Sequence, residues 1–141
     1  MTSAITFASG LYWRKSRFNG FRCVPAIFSV DAGRLRLTSA KELAFDVPCA
    51  EARADFSMFW TLTIIIGDRK FDIVDSSPIF TNFNRAMVAE LEQRKARTAL
   101  PSHLSGATKT REFGYLNTTV LPWDRVLTAA GVKGAEDWSK R

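Results

Sequence analysis

Hydrophobic and polar residues alternate with a period of two over the first half of the chain, from Leu11 to Asp75. Short stretches containing Gly, Asn, Asp or Pro interrupt this alternation. Such a pattern is typical of short strands joined by tight turns. It predicts seven strands, at residues 11–18, 21–30, 34–38, 43–47, 51–56, 60–66 and 70–74. Because few residues separate consecutive strands, we expect a mostly antiparallel meander.

The spacing of the hydrophobic residues changes to three and four positions after Ser77-Pro78. A serine followed by proline resembles a helix N-cap with proline at the first helical position. Four apolar residues then follow at helical spacing, namely Phe80, Phe83, Met87 and Leu91. They predict one amphipathic helix that runs to about residue 99.

The rest of the chain is predicted to hold a loop and a short second helix. The loop covers residues 100–117 and includes one extended piece, and the helix begins at Pro122-Trp123. Gly131 is placed to end this helix, because glycine readily adopts the positive φ of a helix C-terminus. We therefore predict a domain over residues 1–99 and a C-terminal extension, residues 100–141, that packs on the same domain.

Asn19-Gly20 connects the first two predicted strands. This pair is preferred in two-residue hairpin turns, because both positions need a positive φ. A two-residue turn directly opposes Arg17 to Arg22 and places Lys15 on the same face. Pro25 lies within the second strand and predicts a bulge or a sheet edge there.

Positive charge is concentrated in the first part of the chain. The 141 residues include 20 Lys+Arg and 14 Asp+Glu, which gives a formal net charge of +6. Residues 1–50 hold seven of the basic residues and three of the acidic ones. The first four basic residues, at positions 14, 15, 17 and 22, all precede the first acidic residue. This distribution predicts that the first hairpin faces an anionic partner.

Cysteine and histidine are too scarce for common metal or catalytic sites. Cys23 and Cys49 lie far apart without CxxC spacing, whereas a structural zinc site needs about four grouped ligands. Serines flank His103, but a catalytic triad depends on geometry that such neighbours do not supply. No glycine-rich phosphate loop is present. We predict free thiols, no metal, no cofactor and no enzymatic activity.

The apolar segments do not predict membrane insertion or secretion. Residues 1–7 lack the basic segment and apolar core of a signal peptide. The longest apolar-rich run, residues 59–66, is shorter than the ~20 residues of a membrane span. We predict a cytoplasmic protein, either free or peripheral to the membrane.

The order of seven short antiparallel strands and one amphipathic helix is that of the pleckstrin-homology superfold. The run Phe28-Ser29-Val30-Asp31-Ala32-Gly33-Arg34-Leu35-Arg36-Leu37 gives a strand, a tight turn and a leucine-bearing strand. Phe45-Asp46-Val47-Pro48 and the apolar hairpin around Gly67-Asp68 follow it. In these features residues 11–99 resemble pleckstrin-homology-like domains, closest to the bacterial GRAM-like ones.

The resemblance implies a mainly β fold with a C-terminal helix. The expected architecture is a seven-stranded antiparallel roll or partly open barrel capped by the amphipathic helix. It also implies a non-catalytic module that binds lipid headgroups, membranes or proteins. Lipid-binding members often carry Lys/Arg-x-Arg in the second strand, and here Arg22 is followed by Cys23-Val24 instead.

We predict that the basic first hairpin docks on anionic lipid headgroups or a membrane surface. The predicted anion-binding residues are Arg14, Lys15, Arg17 and Arg22, and the predicted membrane or partner contacts are Phe18 and Phe21. For Arg17 facing Arg22, with Lys15 behind them, an acidic side chain on a neighbouring strand, such as Asp72 or Asp75, or simply water, would take the place of a ligand. The alternative function is a protein- or peptide-binding scaffold that uses a sheet edge or the C-terminal arm. A third is nucleic-acid binding, which the adjacent aromatic and basic residues of the hairpin allow.

Overall fold

A computed structural model describes residues 5–15, 23–56, 61–75, 83–105, 112–113, 116–117, 120 and 123–135. Seven strands of these residues form one antiparallel sheet: β1 (Phe7–Arg14), β2 (Cys23–Asp31), β3 (Arg34–Ser39), β4 (Leu43–Pro48), β5 (Arg53–Phe56), β6 (Leu62–Ile66) and β7 (Arg69–Val74). Their order across the sheet is β4-β3-β2-β1-β7-β6-β5. The prediction of a seven-stranded antiparallel sheet is confirmed.

The sheet is open, with β4 and β5 as its two edges. These edge strands are consecutive in the chain, and residues 49–52 connect them. A flat sheet of this size would separate its edges by about 29 Å, at ~4.8 Å per strand. The chain between Pro48 and Arg53 reaches at most about 18 Å. The sheet must therefore curl, which gives the partly open barrel.

Three helices follow the sheet in the described residues: α1 (Arg85–Ala96), α2 (Ser102–Ser105) and α3 (Trp123–Ala129). A short strand pair lies between the last two, formed by β8 (Glu112–Phe113) and β9 (Leu116–Asn117). The second predicted helix is confirmed as α3. It ends as expected, because Gly131 adopts a φ of 88° and Val132 N donates to Leu127 O at 3.0 Å.

α1 begins later than the Ser77-Pro78 pair predicted. Asn84 is extended and caps the helix, since its side chain accepts a hydrogen bond from Met87 N at 2.8 Å. Phe83 therefore precedes the helix, and its ring stacks on Tyr12 with centroids 6.2 Å apart. The helix stops at Ala96, because Ala99 pairs with Thr6 through two backbone hydrogen bonds of 2.9 Å. Ser77, Pro78 and Phe80 lie outside the described residues.

One face of the sheet, the inner face, carries the main hydrophobic core, and α3 fills it. Trp123 is fully buried, with its ring centroid 4.2 Å from that of Phe28 and 5.0 Å from that of Phe7. Its Nε1 donates to Ser9 Oγ at 2.9 Å. Val126 and Leu127 belong to the same core. The C-terminal extension thus supplies the side chains that occupy the inside of the curled sheet.

α1 lies on the opposite, outer face of the sheet. Met87 and Leu91 pack there against Ala8 and Ile27 as a separate small cluster. Small residues at the start of β1 let both helices approach, because Ala8 lies in the α1 cluster and Ser9 accepts the α3 hydrogen bond. This packing explains why β1 begins at Phe7, four residues before the alternation that predicted it.

The register of β1 and β2 differs by two residues from the one that a two-residue turn requires. Trp13 lies opposite Val24, where such a turn would place Ala26. The predicted pairing is therefore wrong in the described part of this hairpin, and Asn19-Gly20 itself lies outside it. Because strand residues alternate, a shift of two leaves each side chain on its predicted face.

Pro25 lies at a local sheet edge, one of the two predicted alternatives. The pairing of β1 with β2 runs through Pro25 without a bulge. The pairing of β2 with β3 begins only at Ala26. Proline, which lacks an N–H donor, thus occupies a position with one neighbouring strand.

The two edges of the sheet differ in how they are covered. Ala54 N on β5 donates to Lys133 O at 2.8 Å, and Arg53 forms a parallel bridge with Lys133. Gly134 follows with a φ of 85°, so close that a Cβ would overlap the Ala54 carbonyl oxygen. The segment after α3 therefore covers β5, whereas in the described part of the chain β4 pairs with β3 alone.

Candidate anion-binding site

The candidate site lies where the first hairpin and the β3–β4 turn meet at one end of the sheet. β1 ends at Arg14 and β2 begins at Cys23, while the β3–β4 turn covers residues 40–42. In a meander the first and third connections lie at the same end. We call this region, formed by Arg14, Lys15, Val24, Pro25 and residues 39–43, the basic end.

Arg14 is already neutralised by a carboxylate of the neighbouring strand. Its guanidinium lies 3.2 Å from Asp72 Oδ2, and the two residues are cross-strand partners of β1 and β7. Thr63 Oγ1 on β6 donates to the other carboxylate oxygen at 2.7 Å. Both charged side chains are largely buried, with 17% and 13% of their surface exposed. Asp72 thus balances Arg14, one of the four predicted anion-binding residues.

Lys15 remains accessible although it is also paired. Its Nζ forms an ion pair with Glu42 Oε1 and lies 5.0 Å from the centroid of the Trp13 ring. The Lys15 and Glu42 side chains are 38% and 46% exposed. An exposed pair of this kind contributes only about 0–1 kcal/mol. An external anion can therefore compete for Lys15 at little energetic cost.

The β3–β4 turn has a defined shape and presents further residues at this end. Ser39 Oγ accepts hydrogen bonds from Glu42 N at 3.2 Å and Lys41 N at 3.4 Å, and Ser39 N donates to Glu42 O at 2.9 Å. Serine side chains commonly close turns in this way. The turn holds Ala40 and Lys41 exposed to solvent.

A cavity of about 310 Å³ lies between the base of the hairpin, this turn and α1. Its lining combines charged or polar side chains with apolar ones: Lys15, Val24, Pro25, Ser39, Ala40, Lys41, Glu42 and Met87. Two lysines against one glutamate leave a net positive charge. Its size falls at the lower end of the range for small-molecule sites. The cavity can thus accept a small anionic group with an apolar neighbour.

Neither Lys41 nor the cavity was predicted from the sequence. Lys41 lies between the predicted strands 34–38 and 43–47, and the four basic residues before Asp31 give the stronger charge signal. The predicted meander alone could have placed Lys41 beside Lys15, because alternate connections share one end of an antiparallel sheet.

The remaining predicted site residues lie outside the described part of the chain. Arg17, Arg22, Phe18 and Phe21 belong to residues 16–22, which join Lys15 to Cys23. Their role in the site stays a prediction. Both ends of that segment belong to the basic end.

The two cysteines lack the features of reactive thiols. Burial raises the pKa of the Cys49 thiol. Partial burial also raises the pKa of the Cys23 thiol, and this outweighs the nearby Arg14 guanidinium, which lowers it. A raised pKa leaves less of the nucleophilic thiolate at neutral pH. Both cysteines are free thiols, as predicted.

The described residues contain neither a candidate metal site nor a candidate transmembrane helix. No cluster of three or more His, Cys, Asp or Glu residues in that part of the chain could hold a metal ion. No described helix has the length and hydrophobicity needed to cross a bilayer. The side chain of His103 lies outside the described residues.

Comparisons with known proteins found no match to this chain among protein-family models, curated proteins or solved structures. The likeness to pleckstrin-homology-like and GRAM-like domains therefore stays a prediction.

Proposed function

We propose that this chain is a non-catalytic module that binds anionic lipid headgroups at the basic end of its sheet. The observation that carries the proposal is the cavity of about 310 Å³, to which Lys15 and Lys41 contribute from different elements. Val24, Pro25 and Met87 supply apolar surface beside them. A headgroup offers the matching combination, a charged phosphate or carboxylate next to an apolar glycerol ester region.

The charge distribution supports the same proposal. The first 50 residues carry an excess of four positive charges, seven basic residues against three acidic ones. Arg17 and Arg22 lie in the segment that leaves and re-enters the basic end. Basic residues near an anionic membrane contribute about 1 kcal/mol each. Lys15, Arg17, Arg22 and Lys41 are four such residues. Together they would give useful affinity for an anionic membrane, even though Arg14 is neutralised.

Vesicle co-sedimentation tests this proposal. Phosphatidylcholine vesicles with and without phosphatidylserine would be incubated with the full chain, its Arg17→Glu/Arg22→Glu variant and its Lys41→Glu variant. We expect the double variant to lose binding, and Lys41→Glu to bind about tenfold or more weakly. Melting temperatures should remain nearly unchanged, because these are exposed or connecting positions.

Arg97→Glu is the matched control. It makes the same charge change at an exposed residue two positions before Ala99, which pairs with Thr6 just before β1, so it lies at the far end of the sheet. If Lys41→Glu and Arg97→Glu lose binding equally, the effect is one of net charge alone. Failure of the unmodified chain to bind phosphatidylserine vesicles would refute the proposal.

A second candidate function is peptide or protein binding at the free edge of β4. In the described residues this strand pairs with β3 alone, while β5 at the other edge is covered. An open edge can accept an extended partner strand through backbone hydrogen bonds. Because Cys49 N donates to Gly33 O, the alternation of an antiparallel ladder directs Asp46 N to the free edge of β4. Pull-down with the unmodified chain and an Asp46→Pro variant, which removes that donor, would test it. Equal recovery of bound proteins by both would exclude this edge.

A further inference from the structure

Among the described residues, Leu43 is the one large hydrophobic side chain that is exposed, at 54%. It is the first residue of β4 and directly follows the β3–β4 turn. A register shift between β3 and β4 sets Leu43 opposite Thr38, whereas Ala44 and Phe45 are both buried. The bulge therefore leaves Leu43 outside the core that its two neighbours enter.

Leu43 belongs to the basic end because the residues that immediately precede it contact Lys15 or line the cavity. Its neighbour Glu42 forms the ion pair with Lys15, and Lys41 lines the cavity beside both. The hydrogen bonds of Ser39 fix the turn that precedes it. An exposed leucine is thus held in place among lysines, at the point where the proposed headgroup would bind.

We propose that Leu43 inserts into the apolar region of an anionic bilayer when the basic end docks. This inference rests on the proposed function and names its partner, which is the membrane surface itself and not a free headgroup. Lysines lie at the level of anionic headgroups while a neighbouring leucine reaches the acyl boundary, which is the arrangement of interfacial membrane anchors. Lys15 and Lys41 supply that charge, and Leu43 supplies the apolar contact.

The expected contribution of Leu43 is moderate. A buried CH₂ group contributes about 0.8 kcal/mol to membrane binding, and about half of the leucine side chain is free to transfer. Leu43→Ala should therefore weaken vesicle binding about fivefold to tenfold. Leu43→Trp should bind at least as well as leucine, because tryptophan prefers the membrane interface.

The test measures binding of the full chain to phosphatidylcholine/phosphatidylserine vesicles at low and high salt. Salt screens the lysine contribution but leaves the apolar one. The ratio of affinities between the unmodified chain and Leu43→Ala should thus persist at high salt. Val47→Ala is the matched control, since Val47 is a partly buried aliphatic residue near the opposite end of the same strand. It should leave vesicle affinity unchanged.

A fluorophore locates the side chain directly. In a Cys23→Ser/Leu43→Cys variant, an environment-sensitive label at position 43 should shift to the blue on vesicle binding and be quenched by brominated lipids. Soluble glycerophosphoserine should produce neither effect.

Three outcomes would overturn the inference. If vesicles bind and the label at position 43 stays in water, the headgroup proposal stands and the insertion fails. If glycerophosphoserine binds as strongly as the lipid surface, the partner is a free headgroup. If no anionic vesicle binds, both proposals fail, and a concentration-dependent dimer blocked by Leu43→Lys would identify β4 of a second copy as the occupant.

Discussion

Gly134 brings the C-terminal segment into backbone contact with β5. Its φ of 85° and the position that a Cβ would take against the Ala54 carbonyl both favour glycine. Gly131 has a similar φ of 88°, but a Cβ there would meet no atom within 4 Å. Substitutions at these two glycines therefore distinguish the cost of steric overlap from the cost of a positive φ.

We predict that Gly134→Ala destabilises the protein more than Gly131→Ala does. Positive φ alone costs a non-glycine residue about 1–2 kcal/mol, and overlap with β5 adds to that at position 134 only. Urea unfolding of the two variants measures the difference. Equal losses of unfolding free energy would mean that the segment after α3 does not pack tightly on β5.

Asp124 is a buried carboxyl group in the first turn of α3. Burial raises its pKa, and this exceeds the opposing effects of the Arg125 backbone N–H and the Arg125 charge. A raised pKa means that the group favours folding below the ordinary aspartate pKa, about 3.9. That contribution is lost as the pH rises through the raised value, so the ionised group is unfavourable at neutral pH.

We predict that Asp124→Asn stabilises the protein at pH 7 and that the gain shrinks as the pH falls towards the ordinary aspartate pKa. Asparagine keeps a side-chain oxygen that can accept the backbone N–H, while it removes the buried charge. Asp72→Asn is the contrasting variant, since Asp72 is the ion-pair partner of Arg14 and its change should destabilise. Thermal melts from pH 4 to pH 8 give both results. A pH-independent effect of Asp124→Asn would contradict the role of its charge.

At the scale of elements, α3 is the part of the C-terminal extension that completes the core. The hydrogen bond from Trp123 Nε1 to Ser9 Oγ ties it to β1, and both residues are fully buried. Removing one partner leaves the other buried without a hydrogen bond, which costs about 1–3 kcal/mol.

We predict that Trp123→Phe and Ser9→Ala each destabilise the protein, and that the double variant loses less than the sum of the two. The coupling arises because either single change already breaks the shared bond. Chemical unfolding of the four proteins forms the cycle. Strict additivity would show that the bond contributes nothing.

Strands were predictable where one face of the sheet is buried, because burial enforces alternation. β3 illustrates this, because Leu35 and Leu37 are buried in the core whereas the residues adjacent to them are half-buried or exposed. The start of β1 was not predicted because Ala8 and Ser9 are small where they contact Met87 and Trp123, more than 70 positions away.

The start of α1 and the hairpin register were beyond local signals. Ser77-Pro78 has the residues of a helix start, but Asn84 is the cap that the fold uses. Asn19-Gly20 suits a two-residue turn, yet the described pairing of Arg14 with Cys23 is not the register which that turn sets. Cap and turn motifs are local preferences, which tertiary context routinely overrides.

At the scale of the molecule, the topology brings the charge together. The meander places Lys15 and Lys41 at one end, and the curl required by the short β4–β5 connection leaves the inner face to α3. The sequence indicated that the first hairpin is basic. It did not indicate that Asp72 neutralises Arg14 or that the β3–β4 turn adds a lysine and an exposed leucine.

The most direct test of the account is a backbone amide NMR titration of the full chain with short-chain phosphatidylserine, with short-chain phosphatidylcholine as the control. We predict that phosphatidylserine perturbs the amides of Lys15, Val24 and residues 39–43 most, because these line the cavity or flank it. The amides of Ala32 and Gly33, in the β2–β3 turn at the opposite end, should not respond. Perturbations centred away from the basic end, or equal responses to both lipids, would contradict the proposed anion-binding site.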